Sequence, residues 1–156
     1  MNIKSPGIIA SALFYFLWVC NASAQKNEDK IVFHYLKLSQ ALSRSDFNKA
    51  SKQAASLTNE SASFTPLKRG SDLIRNAKNL ESIREGFSVF SDSLKTAVEK
   101  GQFVPGETLF VLHCPMAFKD KGADWISDER KVINPYFGDE MLHCGSVKGN
   151  LKSIKK

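Results

Sequence analysis

Between residues 25 and 100 the sequence has a single proline, Pro66, and no cysteine. Apart from Pro66, nothing in that stretch obliges a helix to break, and no disulfide can staple it. The whole chain of 156 residues has only three cysteines, three methionines and three histidines. It lacks a Cys-x-x-Cys redox pair, a His-Glu-x-x-His zinc helix, a glycine-rich phosphate loop and a serine nucleophile elbow. On those absences the chain is read as a non-enzyme. Basic residues outnumber acidic ones, with a formal charge of +6. They form no Lys/Arg block and do not interleave with aromatics, which argues against a nucleic-acid partner. No apolar run reaches the about 20 residues that a membrane-crossing helix needs.

The longest apolar run, Ile8 to Val19, follows one basic residue, Lys4, and precedes Ala22-Ser23-Ala24. This is the layout of a secretory signal over residues 1–24, cleaved after Ala24. A lipoprotein reading at Cys20 is weaker, because bulky Val19 stands where a small residue is normal. Export predicts a periplasmic protein with one domain over residues 25–156 and no membrane span in the mature chain. It also predicts an oxidising surrounding, in which the two remaining cysteines are Cys114 and Cys144.

Residues 25–100 carry a helical period. Ile31, Tyr35, Leu38 and Leu42 step by four, three and four, an apolar stripe on a polar rod. Ser45 or Asp46 can cap a second helix carrying Phe47, Ala50, Ala54 and Leu57. "TNESASFTP" reads as a loop. A third helix is expected from about Pro66 to Ala77, burying Leu67, Leu73, Ile74 and Ala77. A fourth begins near Asn79, with Leu80, Ile83, Phe87, Phe90, Leu94, Ala97 and Val98 inward and Gly101 as terminator. No proline separates the third from the fourth. The expected fold is therefore mainly α: an antiparallel four-helix bundle over residues 25–100. An irregular segment over residues 101–156 follows it, with one or two short strands. "TLFVLH" is the first strand, delivering Cys114 at its end, and "HCGSVKG" returns as a second strand or a loop. "KDKGADWISDER" reads as turn-rich. Trp125, Ile133, Tyr136 and Phe137 anchor the segment on the helices.

That segment holds the unusual chemistry. His-Cys-Pro-Met at His113 to Met116 stands against Met-Leu-His-Cys at Met141 to Cys144. Thiolate and thioether together suit soft Cu(I), with imidazole acceptable, whereas zinc makes little use of thioether. The candidate ligands are Cys114, Met116, Met141 and Cys144, with His113 and His143 in reserve. The same two cysteines also fit a single disulfide closing a loop of about thirty residues, and both readings stay open.

Four motifs occur in order: Cys114-Pro115-Met116-Ala117, Gly122-Ala123-Asp124-Trp125-Ile126-Ser127, Asn134-Pro135-Tyr136-Phe137-Gly138 and Met141-Leu142-His143-Cys144-Gly145. Upstream, Arg84, Phe87 and Ser91 form an Arg-x-x-Phe-x-x-x-Ser element. With these the chain resembles the bacterial exported family known as domain of unknown function 3347. The resemblance implies a helical domain followed by a Cys/Met-bearing segment. It also implies the company of periplasmic adaptor subunits of cation-efflux pumps, to which such domains are found fused. The Cys-Pro-Met core is similar to a short heavy-metal-binding motif of those adaptors, which continues with His-Pro where this chain has Ala117-Phe118. The function expected is an exported heavy-metal protein, Cu(I) foremost, acting as buffer or donor to an efflux system. The alternative is a periplasmic interaction module stapled by Cys114 and Cys144, without metal.

Overall fold

The computed structural model describes residues 8–151, with side chains from residue 25 onward. The chain is mainly helical and ends in a small antiparallel sheet. Helix α1 (Ile8–Ser43) buries Ile31, Tyr35, Leu38 and Leu42, the stripe that the spacing predicts. Its backbone already begins upstream of Ala24. Of the stretch expected to be a secretory signal, residues 1–7 and the side chains of residues 8–24, Cys20 and Ala24 included, lie outside the described residues. Among the described residues no helix is long and apolar enough to cross a membrane.

Helix α2 (Phe47–Glu60) is capped by Asp46, whose carboxylate accepts the Lys49 N–H at 3.0 Å. Ala50, Ala54 and Leu57 are buried, but Phe47, expected beside them, is 43% exposed. It opens the helix, and a helical side chain leans toward the N-terminus, where α2 has no further turn to cover it. The helix also runs through Asn59 and Glu60, so the loop is shorter than its composition suggests. A 3-10 turn, Thr65–Leu67, leads into α3 (Lys68–Asn76). Leu67 and Ile74 are buried as expected, whereas Leu73 is 45% exposed. Leu73 lies about 100° around the helix from Ile74, and the face turned to the core carries Gly70 and Ser71 instead. A Cβ on Gly70 would come within 2.5 Å of the Phe90 Cα.

Helix α4 (Leu80–Glu99) is separate from α3 although no proline intervenes. Asn79 makes the break: its side chain accepts the Ser82 N–H at 2.8 Å while Ser82 Oγ accepts the Asn79 N–H at 3.2 Å, a reciprocal cap. Ile83, Phe87, Phe90, Leu94, Ala97 and Val98 are buried, and Gly101 ends the helix at φ 66°. Helix α1 packs with α2 and α3 with α4, and α4 carries the sheet.

The C-terminal segment corrects the expectation of an irregular stretch with one or two strands. It forms three: β1 (Leu109–Cys114), β2 (Ala123–Ser127) and β3 (Ser146–Leu151), in the order β2-β1-β3. The strand that composition hid is β2, taken from the "GADWIS" stretch. Five residues between charged turns carry too little apolar signal alone. Pairing with β1, Leu112 opposite Trp125 and Cys114 opposite Ala123, supplies the rest. The β1–β3 ladder shifts register between Val111 and Leu112, where Lys148 of β3 is the extra residue.

Candidate functional site

Cys114 ends β1 and Cys144 stands two residues before β3, so the antiparallel ladder brings them to one end of the sheet. Their Sγ atoms are 3.4 Å apart and both thiols are free. Cys114 is fully buried and Cys144 half-buried. The approach depends on Gly145, which has φ 136°, where a Cβ would lie 2.6 Å from the His113 carbonyl oxygen. Only a residue without a side chain lets the chain after Cys144 lie flat against β1.

The Cys144 turn is held from below. Cys144 N–H donates to the Met141 carbonyl at 3.1 Å, closing a turn that puts Met141 and Cys144 three residues apart on one bend. Asn134, fully buried, donates from Nδ2 to the Cys144 carbonyl at 2.7 Å and from its backbone to the Leu142 carbonyl at 2.7 Å. Its Oδ1 accepts the Tyr136 N–H at 2.8 Å. Tyr136 in turn packs edge-on against Phe87, Phe118 and Trp125, with centroids 6.2, 5.3 and 6.0 Å away, and its hydroxyl donates to the Asp124 carbonyl. The Asn-Pro-Tyr-Phe stretch is therefore the clasp that fastens both cysteine segments to α4. From the helix side, Arg84 donates to the Pro135 carbonyl at 3.1 Å and to the Leu42 carbonyl at 3.1 Å. Ser91 meets the Tyr35 hydroxyl at 2.7 Å, and that hydroxyl accepts the Ile126 N–H at 3.0 Å.

Sharing a hydrogen bond with Cys114 pushes the Cys144 thiol above its ordinary pKa, and burial adds to this. The Met116 backbone N–H, aimed at the same sulfur, works the other way. Met116 itself is 45% exposed, and Met141 is half-buried. Just after Met116 the chain turns through left-handed backbone at Phe118 (φ 54°), Lys119 (φ 60°) and Asp120 (φ 61°), each non-glycine and each strained by the clash of its Cβ.

The two histidines point elsewhere. Adjacent residues of a strand face opposite sides, so His113 leaves Cys114 and meets Asp124 at 2.7 Å through Nδ1. Asp124 also receives Lys95 at 2.6 Å, with Lys148 at 3.7 Å. His143 Nδ1 meets the Val132 carbonyl at 3.0 Å on an exposed bend. His34, on α1, pairs with Gln53 at 3.0 Å. Among the described residues no three His, Cys, Asp or Glu side chains group to hold a metal ion. The structure thus brings together Cys114, Cys144 and the Met116 backbone, and sets Met141 on the same turn as Cys144. The sequence reading missed the side-chain role of Asn134, seen only as a turn former, and the Lys95–Asp124–His113 chain. The one signal for Asn134 was its place before Pro135.

The geometry can do two things chemically. A disulfide holds its sulfurs at about 2.05 Å, so closure requires little more than an ångström of movement. Two metal–thiolate bonds of about 2.3 Å at a tetrahedral angle set sulfurs roughly 3.8 Å apart. Opening by a few tenths of an ångström reaches that.

A family model described as a protein of unknown function (DUF3347) matches residues 31–104. The matched range contains the Arg84, Phe87 and Ser91 element and ends before β1. No curated protein and no solved structure matches the chain.

Proposed function

We propose that this chain, whose residues 31–104 belong to the DUF3347 family, is an exported periplasmic binding protein for a soft metal ion, Cu(I) foremost. On this reading an antiparallel four-helix scaffold carries a site at one end of the sheet. Cys114 and Cys144 supply thiolates, Met116 and Met141 supply thioethers, and the protein buffers the ion or passes it to an efflux adaptor subunit. It binds rather than catalyses. The observation that carries the reading is the convergence of two cysteines from distant segments to an Sγ–Sγ distance of 3.4 Å. The donor types then select the metal: with only two thiols at hand and the adjacent His113 and His143 rings already partnered, the thioethers of Met116 and Met141 are the further donors, and a soft ion is favoured over zinc. His113 and His143 rank below these four, since each ring already has a partner.

The test is a titration of the reduced, oxygen-free protein with Cu(I) against a chromophoric competing chelator. One equivalent is expected to be taken up. Replacing both Met116→Leu and Met141→Leu is expected to weaken uptake by at least about tenfold while leaving the fold intact. Unchanged affinity in that variant removes the thioethers from the site, and no competition by the parent protein ends the metal reading.

The same distance favours a second reading, a Cys114–Cys144 disulfide that staples an interaction module. The cysteines are 30 residues apart in sequence, and closing such a loop contributes roughly 3 to 4 kcal/mol in the chain-entropy account. Protein isolated without reductant is then expected to lose roughly 10 °C of Tm when reduced. An identical Tm in both states eliminates the staple.

A further inference from the structure

The two thiols are unequal in access, and that inequality gives the pair a direction. Cys114 is fully buried in the core, at the end of the central strand with Ala123 opposite. Cys144 is half-buried on the Met141–Gly145 bend, which meets solvent at exposed His143. A thiol enclosed in apolar surroundings is inert toward outside reagents, while one at the surface exchanges readily. At 3.4 Å Cys114 nonetheless lies within reach of the Cys144 sulfur. Resting on the reading of these two residues as a functional dithiol, we infer that the pair undergoes ordered thiol–disulfide exchange, with Cys144 the outer thiol and Cys114 the resolving one.

The co-reactant is a small disulfide of the glutathione type. In the first step the Cys144 thiolate attacks one sulfur of that disulfide. A Cys144 mixed disulfide forms, the reagent's S–S bond breaks, and one small thiolate leaves. In the second step the Cys114 thiolate attacks the Cys144 sulfur, forming the Cys114–Cys144 bond and expelling the second small thiolate. Two protein thiols are oxidised and one disulfide is reduced to two thiols, which take up the two protons lost by the cysteines. Closure consumes both thiolates, so oxidation also empties a metal site built on them.

The experiment uses the full chain, reduced and folded. A limiting pulse of iodoacetamide is followed by unfolding and labelling of all remaining thiols with a second alkylator, and peptide-level mass spectrometry scores Cys20 apart. Cys144 is expected to react at least about ten times faster than Cys114. Equal labelling, or a faster Cys114, overturns the order. With oxidised glutathione, the Cys114→Ser protein is expected to accumulate the Cys144 mixed disulfide, and the parent to release two glutathione thiols with no persistent adduct. A persistent adduct on the parent protein also overturns it. Because the pulse needs no variant, a folding failure in Cys114→Ser leaves the first measurement decisive. Cu(I) uptake with equal labelling keeps the site and removes the order; ordered labelling without Cu(I) uptake does the reverse.

Discussion

Gly145 governs whether the two sulfurs meet. A side chain at this position strains a backbone at φ 136° and drives into the His113 carbonyl. Gly145→Ala is therefore expected to cost about 1 to 3 kcal/mol and to slow closure of the Cys114–Cys144 bond. Gly149, on the same terminal stretch, faces open space, and Gly149→Ala is expected to change stability by no more than about 0.5 kcal/mol. Urea unfolding of the two variants compares them directly; equal losses would refute the special role of Gly145. At this scale the sequence was informative about identity and poor about support. Cys114 and Cys144 stood out because sulfur donors are few. Asn134 did not, because a buried amide holding two backbone groups looks, in one dimension, like any asparagine before a proline.

Elements add a competition that residue types alone do not settle. Gly70 sits inside α3, where alanine would ordinarily gain about 1 kcal/mol of helix propensity. The Phe90 backbone of α4 occupies the space a Cβ needs, and backbone cannot rotate away as a side chain can. Gly70→Ala is thus expected to destabilise by about 1 to 3 kcal/mol net, read as a lower midpoint in thermal or urea unfolding; a gain would show that α3 and α4 are not locked at this contact. The same close approach explains why Leu73 turned outward against expectation. Periodicity placed α1 and α4 well because their large apolar residues recur at i, i+3 and i+4. It misjudged α3 because there the buried face is small: Gly70 and Ser71 count little on any apolar scale, yet they decide which way the helix faces.

Across the whole molecule the sheet is fixed to the helices by Asp124. Lys95 of α4, His113 of β1 and Lys148 of β3 all face this carboxylate. Burial opposes its charge, but the hydrogen bonds from Lys95 and His113 and the nearby lysine charges outweigh that and hold its pKa below the ordinary 3.8. A carboxyl depressed in the folded state adds stability that is present above its ordinary value and lost as pH falls through the folded one. Stability is accordingly expected to drop on acidification below about pH 4. Asp124→Asn is expected to flatten that limb while costing about 1.5 to 3 kcal/mol at neutral pH. Urea midpoints measured from pH 2 to pH 7 check both, and an unchanged acid limb in the variant would assign it to other groups. By itself the sequence determined the helical first part, the start of α2 at Ser45 or Asp46 and of α4 near Asn79, the strand leading to Cys114 and which residues are candidates for a soft-metal site or a disulfide. Those features depend on neighbours within a few positions, where spacing and side-chain chemistry suffice. Only the tertiary structure decided that "GADWIS" is a strand, that Tyr136 and Asn134 clasp the site, that His113 faces Asp124, and that Cys114 and Cys144 lie 3.4 Å apart. These rest on pairings between segments far apart in the chain, which no local pattern records.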